Sequence, residues 1–299
     1  MSGWIPFYLV DVFAREPLAG NPLAVVPDAA RLDTATMASV AREFNQSETT
    51  FLLPATRDGA DWRLRSFTAA GTEVFGAGHN SLGAWWWLAE AGRLPLGESG
   101  GSFVQEIGDR LLPVDVTCEG GRLVSVGLTQ TAPVFGRICD APAALAAALG
   151  VEAADFATGR LPIQVVSTGA AHMLAPMRDR AAIARARPDS ARLAAVLRAH
   201  GAQGCYLFSL DPLAPGAVAH ARFFNPVEGI PEDAATGSAA GPLACHLAAH
   251  GVVEDGSTVA IEQGYEMGRP SVIEVRIAGR NVRVSGAGVV VAEGRLRTV

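Results

Sequence analysis

Two stretches of this chain read as helices that are apolar on every side, and such a helix has no face to offer to water. One is 80–91, with Leu82, Ala84, Trp85, Trp86, Trp87 and Leu88; the other is 239–250, with Leu243, Ala244, Cys245 and Leu247. Each must be covered all round, and valine-rich alternation at 112–117, 123–128, 272–277 and 282–284 predicts the strands that cover them. Gly92 and Gly251 stop the two helices, because glycine takes the left-handed conformation of a C-terminal stop. The expected fold class is α+β: two pseudo-symmetric halves, each a curled β-sheet or barrel around a central buried helix.

The order of signals repeats along the chain. A strand with a glycine turn opens each half, at 20–26 and at 168–174. An amphipathic helix follows, 34–44 (entered through Asp33 as N-cap) and 190–200, then a strand at 49–53 and at 205–209. A Gly-X pair then opens the apolar helix, Gly78-His79 in one half and Gly237-Ser238 in the other. The halves are expected at 1–130 and 131–285, with 133–142 as the crossing between them. The closing segment 286–299, carrying a strand at 288–292, can return to either half and is allotted to the first.

Composition removes whole classes of chemistry. A net charge of −6 without any basic run argues against nucleic acid as a partner. All 24 basic residues are arginine, so pyridoxal and other lysine Schiff-base mechanisms have no nucleophile, and a P-loop is excluded with them. Cys118, Cys139, Cys205 and Cys245 lack C-x-x-C spacing, and with no basic n-region or cleavage site ahead of the strand read at 7–13, no secretory leader is expected. Free thiols in a reducing cytoplasm are therefore expected. Apolar runs such as 84–89 are too short to cross a bilayer.

The candidate chemistry gathers at the two Gly-X pairs. Gly237 lets a ligand approach the backbone, and the free N–H groups at a helix start hold an anion, with Asp233 one short turn away. Glu48 stands where a helix gives way to an apolar strand, so desolvation is expected to raise its pKa toward a general-base value; the plainer alternative is a rim glutamate that caps a helix end or meets an arginine. Asp233 has its own alternative, an N-cap through Asp-x-x-Thr. His79, at the positive end of a helix, is expected to be a neutral ring bonded to substrate, the alternative being a capping residue; Ser238 has the same choice. Two helix starts aimed from two halves suggest an interdomain cleft holding one small ligand.

Other signals are weaker. Gly76-Ala77-Gly78 echoes a dinucleotide loop, but the next glycine is Gly83 and no acidic ribose partner follows. His246 and His250, at i and i+4, read as helix-terminal residues rather than metal ligands, and neither Ser47 nor Ser238 lies in a G-x-S-x-G elbow. Trp85 to Trp87 read as packing, with an oligomer contact open.

Several ordered motifs carry a family resemblance. They are Asp11-Val12-Phe13 with Gly20-Asn21-Pro22, Asn45-Gln46-Ser47-Glu48-Thr49-Thr50-Phe51, Gly78-His79, the run Gly229 to Ala240 through Asp233 and Gly237-Ser238, and the block Gln263 to Ser271. The chain resembles the PhzF-like family of phenazine-biosynthesis-type isomerases, which have the diaminopimelate epimerase-like fold. The resemblance implies two similar halves with a cleft, commonly a homodimer, and no cofactor; with His246 and His250 read as helix-terminal residues, no metal is expected either. It also implies that Glu48 moves a proton, isomerising a carbon–carbon double bond, while His79 and Asp233 hold the substrate and assist. Gly78, Gly237 and Ser238 match positions contacting the substrate carboxylate. Related epimerases use two thiols; their places hold Ala77 and Thr236 here, so a two-cysteine epimerase is not expected. The wall before His79, Glu73-Val74-Phe75-Gly76-Ala77, also departs from the phenazine pattern. The expected function is thus a cofactor-independent isomerase acting on a small carboxylate-bearing substrate, the alternative being a non-catalytic small-molecule or protein-binding protein that retains the fold.

Overall fold

A computed structural model describes residues 3–298 and divides the chain into two compact units, Met1–Thr129 with Ser285–Val299, and Gln130–Val284. Met1, Ser2 and Val299, at the outer limits of the expected halves, lie outside the described residues.

The first unit begins with β1 (Trp4–Val12), β2 (Asn21–Val26), α1 (Thr34–Phe44), β3 (Glu48–Pro54), β4 (Trp62–Thr68) and β5 (Glu73–Val74). It continues through α2 (His79–Glu90), β6 (Gly100–Ile107), β7 (Arg110–Glu119) and β8 (Arg122–Gln130), and a strand at Gly288–Arg297 completes it. That terminal strand pairs antiparallel with β1, which also pairs antiparallel with β2; β2 runs parallel to β3, and β3 antiparallel to β4. Helix α1 starts where the Asp33 carboxylate accepts the Thr36 N–H at 2.8 Å and ends at Asn45 in the left-handed region, φ 50°.

Strand alternation sorts the side chains. Phe51 and Phe67 face α1 and pack with Val26, Met37 and Val40, while the next residue back on each strand, Thr50 opposite Ser66, faces α2. Residues Asn80 to Leu88 of α2 are all buried, and the helix packs on β1, β2, β3, β7 and the terminal strand, so the sheet curls around it. Gly83 permits this approach: a Cβ there would lie 2.6 Å from Val12 Cγ2 and 2.7 Å from Leu23 Cδ2. The three tryptophans are packing residues of this unit; Trp85 is fully buried with its indole N–H on Gln105 Oε1 at 3.0 Å, and Trp86 lies against Gly288.

The second unit holds β9 (Val134–Ile138), α3 (Pro142–Leu149), β10 (Gln164–Ser167), β11 (Ala171–Pro176), α4 (Arg180–Arg185) and α5 (Ser190–Ala199). Then come β12 (Gly204–Ser209), β13 (Ala217–Asn225), β14 (Ile230–Asp233), α6 (Gly237–Ala249), β15 (Thr258–Gln263), β16 (Ser271–Ala278) and β17 (Asn281–Gly286), and the terminal strand is β18. Segment 133–142, expected as the crossing between halves, carries a strand, β9, which pairs with β10: the β-formers Val134, Phe135 and Ile138 decide it, and the flanking prolines only bound it. Met173, Cys205, Leu207 and Phe224 pack against Ile183, Leu193 and Leu197 of α4 and α5. Residues of the opposite parity, His172 and Phe208, face α6. Helix α6 packs on β10, β11 and β16.

Both apolar helices start slightly earlier than the apolar pattern does, at His79 and Gly237, with Gly78 and Thr236 as their N-caps. The polar first turn belongs to the helix because its backbone is already helical there, whatever its side chains. Among the described residues, no helix is long and apolar enough to cross a membrane.

Candidate active site

In the first unit, Asn45 turns the chain out of α1, and three residues later Glu48 opens β3, paired with Leu23 on one side and Thr68 on the other. Glu48 shares its strand face with Thr50, two residues on, whose hydroxyl lies 3.4 Å from the Asn80 carbonyl of α2. The alternation thus turns Glu48 toward the start of α2, where His79 Nε2 stands 3.7 Å from Glu48 Oε2. The Glu48 side chain is 21% exposed and that of His79 11%, so the pair is partly open to solvent, unlike the sealed core that Thr49 to Leu52 enter. Glu48 is the first residue of a strand and has a histidine beside it.

The loop into α2 is held from inside. The buried Asn80 amide donates to Gly76 O and Ser66 Oγ, both at 3.0 Å, and its Oδ1 accepts the Gly78 N–H at 2.8 Å. One expectation needs correcting: the Gly78 N–H is already engaged, so an anion at this helix start would use the N–H groups from His79 onward. A Cβ at Gly78 would meet only Asn80 Oδ1, at 3.6 Å, and one at Gly76 would meet nothing within 4 Å, so the approach to the loop is open.

In the second unit, Asp233 ends β14 with 9% exposure and accepts the Thr236 hydroxyl on Oδ2 at 2.6 Å. It does not cap α6: the N-cap is Thr236, whose side chain makes no capping bond, because the Thr236 hydroxyl is committed to Asp233. Ser238 lies in the first turn of α6, its Oγ 3.3 Å from His172 Nε2. Burial holds the His172 pKa down at about 4, so the ring is neutral. The Gly237 carbonyl accepts from Gln130 Nε2 at 2.9 Å, and the helical bonds begin with the N–H groups of Ala239 and Ala240 on Thr236 O, which leaves those of Gly237 and Ser238 outside the ladder.

Sequence reasoning missed His172, Asn80 and Gln130. A histidine within an apolar strand, and an Asn-Ser directly behind a Gly-His, were the available signals. His246 is fully buried, edge-on to Phe208 and 4.5 Å from the His250 ring, and His250 Nδ1 contacts His246 O. Among the described residues, no group of three or more His, Cys, Asp or Glu could hold a metal ion. All four cysteines are buried; burial pushes the Cys205 thiol far up and that of Cys245 up to about 11, so neither is a base near neutral pH.

The family model for phenazine biosynthesis-like proteins, PhzC-PhzF, matches residues 10–294. The chain belongs to this family. It is 37% identical over 298 residues to the trans-2,3-dihydro-3-hydroxyanthranilate isomerase of Pseudomonas aeruginosa, covering 97% of this chain and 98% of that protein. It is similar to the crystal structure of a PhzF-family protein from Bacillus anthracis, with TM-score 0.89, 26% identity and coverage of 98% and 99%. A hydroxyproline epimerase from Agrobacterium vitis shares the fold alone, at TM-score 0.59 and 14% identity over 98% of this chain and 91% of that one. The curled α+β fold is therefore that of the epimerase-like group, and the chain is an isomerase of the PhzF family.

Proposed function

We propose that this isomerase moves a proton within a small carboxylate-bearing, unsaturated substrate, with Glu48 as the acid/base and no cofactor. The observation that carries the reading is the Glu48–His79 pair at 3.7 Å, set at the start of a buried helix. The Glu48 carboxylate takes a proton from carbon, the C–H electrons shift to relocate the double bond, and the same carboxyl returns the proton at the far end of the allylic system. No atom is gained or lost. His79 lies close enough to follow the charge of Glu48 by a small side-chain rotation, as resting catalytic contacts are often long. Asp233 serves as the second acid/base partner, and Gly78, Gly237 and Ser238 contact the substrate; the N–H groups of Gly237 and Ser238 suit a carboxylate. Under this reading the protein works as a homodimer in the cytoplasm. The absence of lysine supports direct acid/base chemistry by removing Schiff-base routes.

The test is proton NMR in deuterated water with trans-2,3-dihydro-3-hydroxyanthranilate, the substrate in the Pseudomonas relative's name. Isomerisation with one solvent deuteron entering at carbon is expected, and Glu48→Gln should lower the rate by about two to four orders of magnitude with unchanged folding. Near wild-type turnover in that variant would show that the proton carrier is another group. Binding of the compound by wild type without any exchange would instead indicate a protein that has kept the fold and lost turnover.

A further inference from the structure

The block Gln263 to Ser271 takes no part in the reading above, yet it lies directly on the turn that carries Asp233. Gln263 ends β15 and is fully buried. Its side-chain nitrogen donates to Asp233 O at 2.7 Å and to Thr236 Oγ1 at 3.1 Å, while its Oε1 accepts the Thr236 N–H at 3.1 Å and the Tyr206 hydroxyl at 2.9 Å. The two backbone partners fix which end of the amide is which. A backbone N–H only donates and a backbone carbonyl only accepts, so the amide oxygen must face Thr236 N and the amide nitrogen must face Asp233 O.

That orientation determines where the Thr236 proton goes. An N–H of Gln263 already points at Thr236 Oγ1, so this oxygen acts as acceptor there, and its single hydrogen turns to Asp233 Oδ2 at 2.6 Å. Burial pushes the Tyr206 phenol pKa up, and the ring enters the chain as a neutral donor. The hydrogen bonds therefore run one way, from Tyr206 to Gln263 to Thr236 to Asp233. The rest of the block holds the amide in place. Gly264, at φ +85°, brings its backbone so close to the turn that a Cβ would lie 2.5 Å from Ala234 O and run into Arg269 O, and the Ser271 hydroxyl reaches Gln263 O at 3.1 Å.

We propose that Gln263 is a positioning residue for Asp233: it sets the direction of this chain, so that the Thr236 hydroxyl donates to Oδ2 and keeps that oxygen an acceptor in the resting site. The functional half of the inference rests on Asp233 being an acid/base partner; the direction of the chain does not.

Neutron diffraction from crystals of the full chain in deuterated water tests the direction without any turnover. A deuteron on Thr236 Oγ1 aimed at Asp233 Oδ2, with two on Gln263 Nε2, is expected. A deuteron on Asp233 Oδ2, or a Thr236 deuteron aimed at Gln263, overturns the proposal. Kinetics with trans-2,3-dihydro-3-hydroxyanthranilate test the role. Thr236→Val keeps the shape and removes the donor, and should lower kcat about ten- to a hundredfold with KM within about threefold. Thr236→Ser should recover most of that loss. Gln263→Glu, which cannot donate to Thr236 and draws its proton away from Asp233, should fall as Thr236→Val does. If Thr236→Val turns over like wild type while Asp233→Asn is inactive, the positioning role is wrong and Asp233 keeps its part; if Asp233→Asn is fully active, the reading of Asp233 fails instead.

Discussion

His172 and His220 have been pushed in opposite directions by their surroundings, and pH will separate them. Burial takes His172 from 6.5 down to about 4, so the unfolded chain binds a proton below 6.5 that the folded chain refuses. Stability is then lost as pH falls from 6.5 toward 4, by about 2–3 kcal/mol for this group between pH 7 and 4.5. Urea unfolding of wild type against His172→Gln should show that difference on the acid side, and parallel curves would exonerate the histidine. His220 sits between Glu262 at 2.6 Å and Glu266 at 3.0 Å. Burial pulls its pKa down, but the hydrogen bonds to Glu266 and Glu262 outweigh it and raise it above 6.5. Its contribution is complete below 6.5 and is lost as pH rises through the folded value, so His220→Gln should flatten the alkaline decline in Tm; an unchanged slope would locate that decline elsewhere. At this scale the sequence is most readable where chemistry and local position coincide. Glu48 and His79 stand out because a carboxylate before an apolar strand and a histidine at a helix start are both unusual. Gln263 does not: its partners lie 27 to 57 residues away, and nothing local to a glutamine announces a tertiary amide contact.

At the scale of elements, the two central helices were evident because nothing but burial suits a helix that is apolar all round. Their starts were less evident, since the geometry of Gly78 and Thr236 decides them rather than the hydrophobic pattern. Nor does that pattern reveal how closely a helix approaches its sheet, which is set by small residues. Gly83→Ala illustrates the competition: alanine gains about 1 kcal/mol of helix propensity, but its methyl would press on Val12 and Leu23 at 2.6 and 2.7 Å. Overpacking of this kind costs about 1–3 kcal/mol, so a net loss of stability is expected, and a raised Tm would show that the strands can yield. In α6 the equivalent change, Gly241→Ala, would run into Gln130 Oε1 and displace the side chain that binds Gly237 O. This variant should lose activity as well as Tm, because its damage reaches the helix start. β9 escaped notice for the opposite reason, its short apolar run being masked by the prolines on either side.

At the scale of the whole molecule, the partner of the last strand could not be read from the sequence, because any pairing that joins the two ends of a chain leaves no local trace. β18 lies along β1 from Trp4↔Arg297 to Val12↔Gly288, with one register shift at Leu9/Val10. A chain truncated after Ala287 should lose this pairing and the Gly288 contact over Trp86, exposing the edge of β1; thermal unfolding at a lower temperature with increased aggregation is expected, and an unaltered melting curve would make β18 an accessory. There is a consequence for the ribosome. Roughly 275 residues separate Val12 from its partner Gly288, which at 5–20 residues per second is roughly 15–55 s of translation during which β1 and β2 have emerged and β18, the neighbour on the other edge of β1, does not yet exist. During that interval β1 is an open edge in a crowded cell, and the nascent chain is a natural client for whatever shields strand edges until synthesis nears its end.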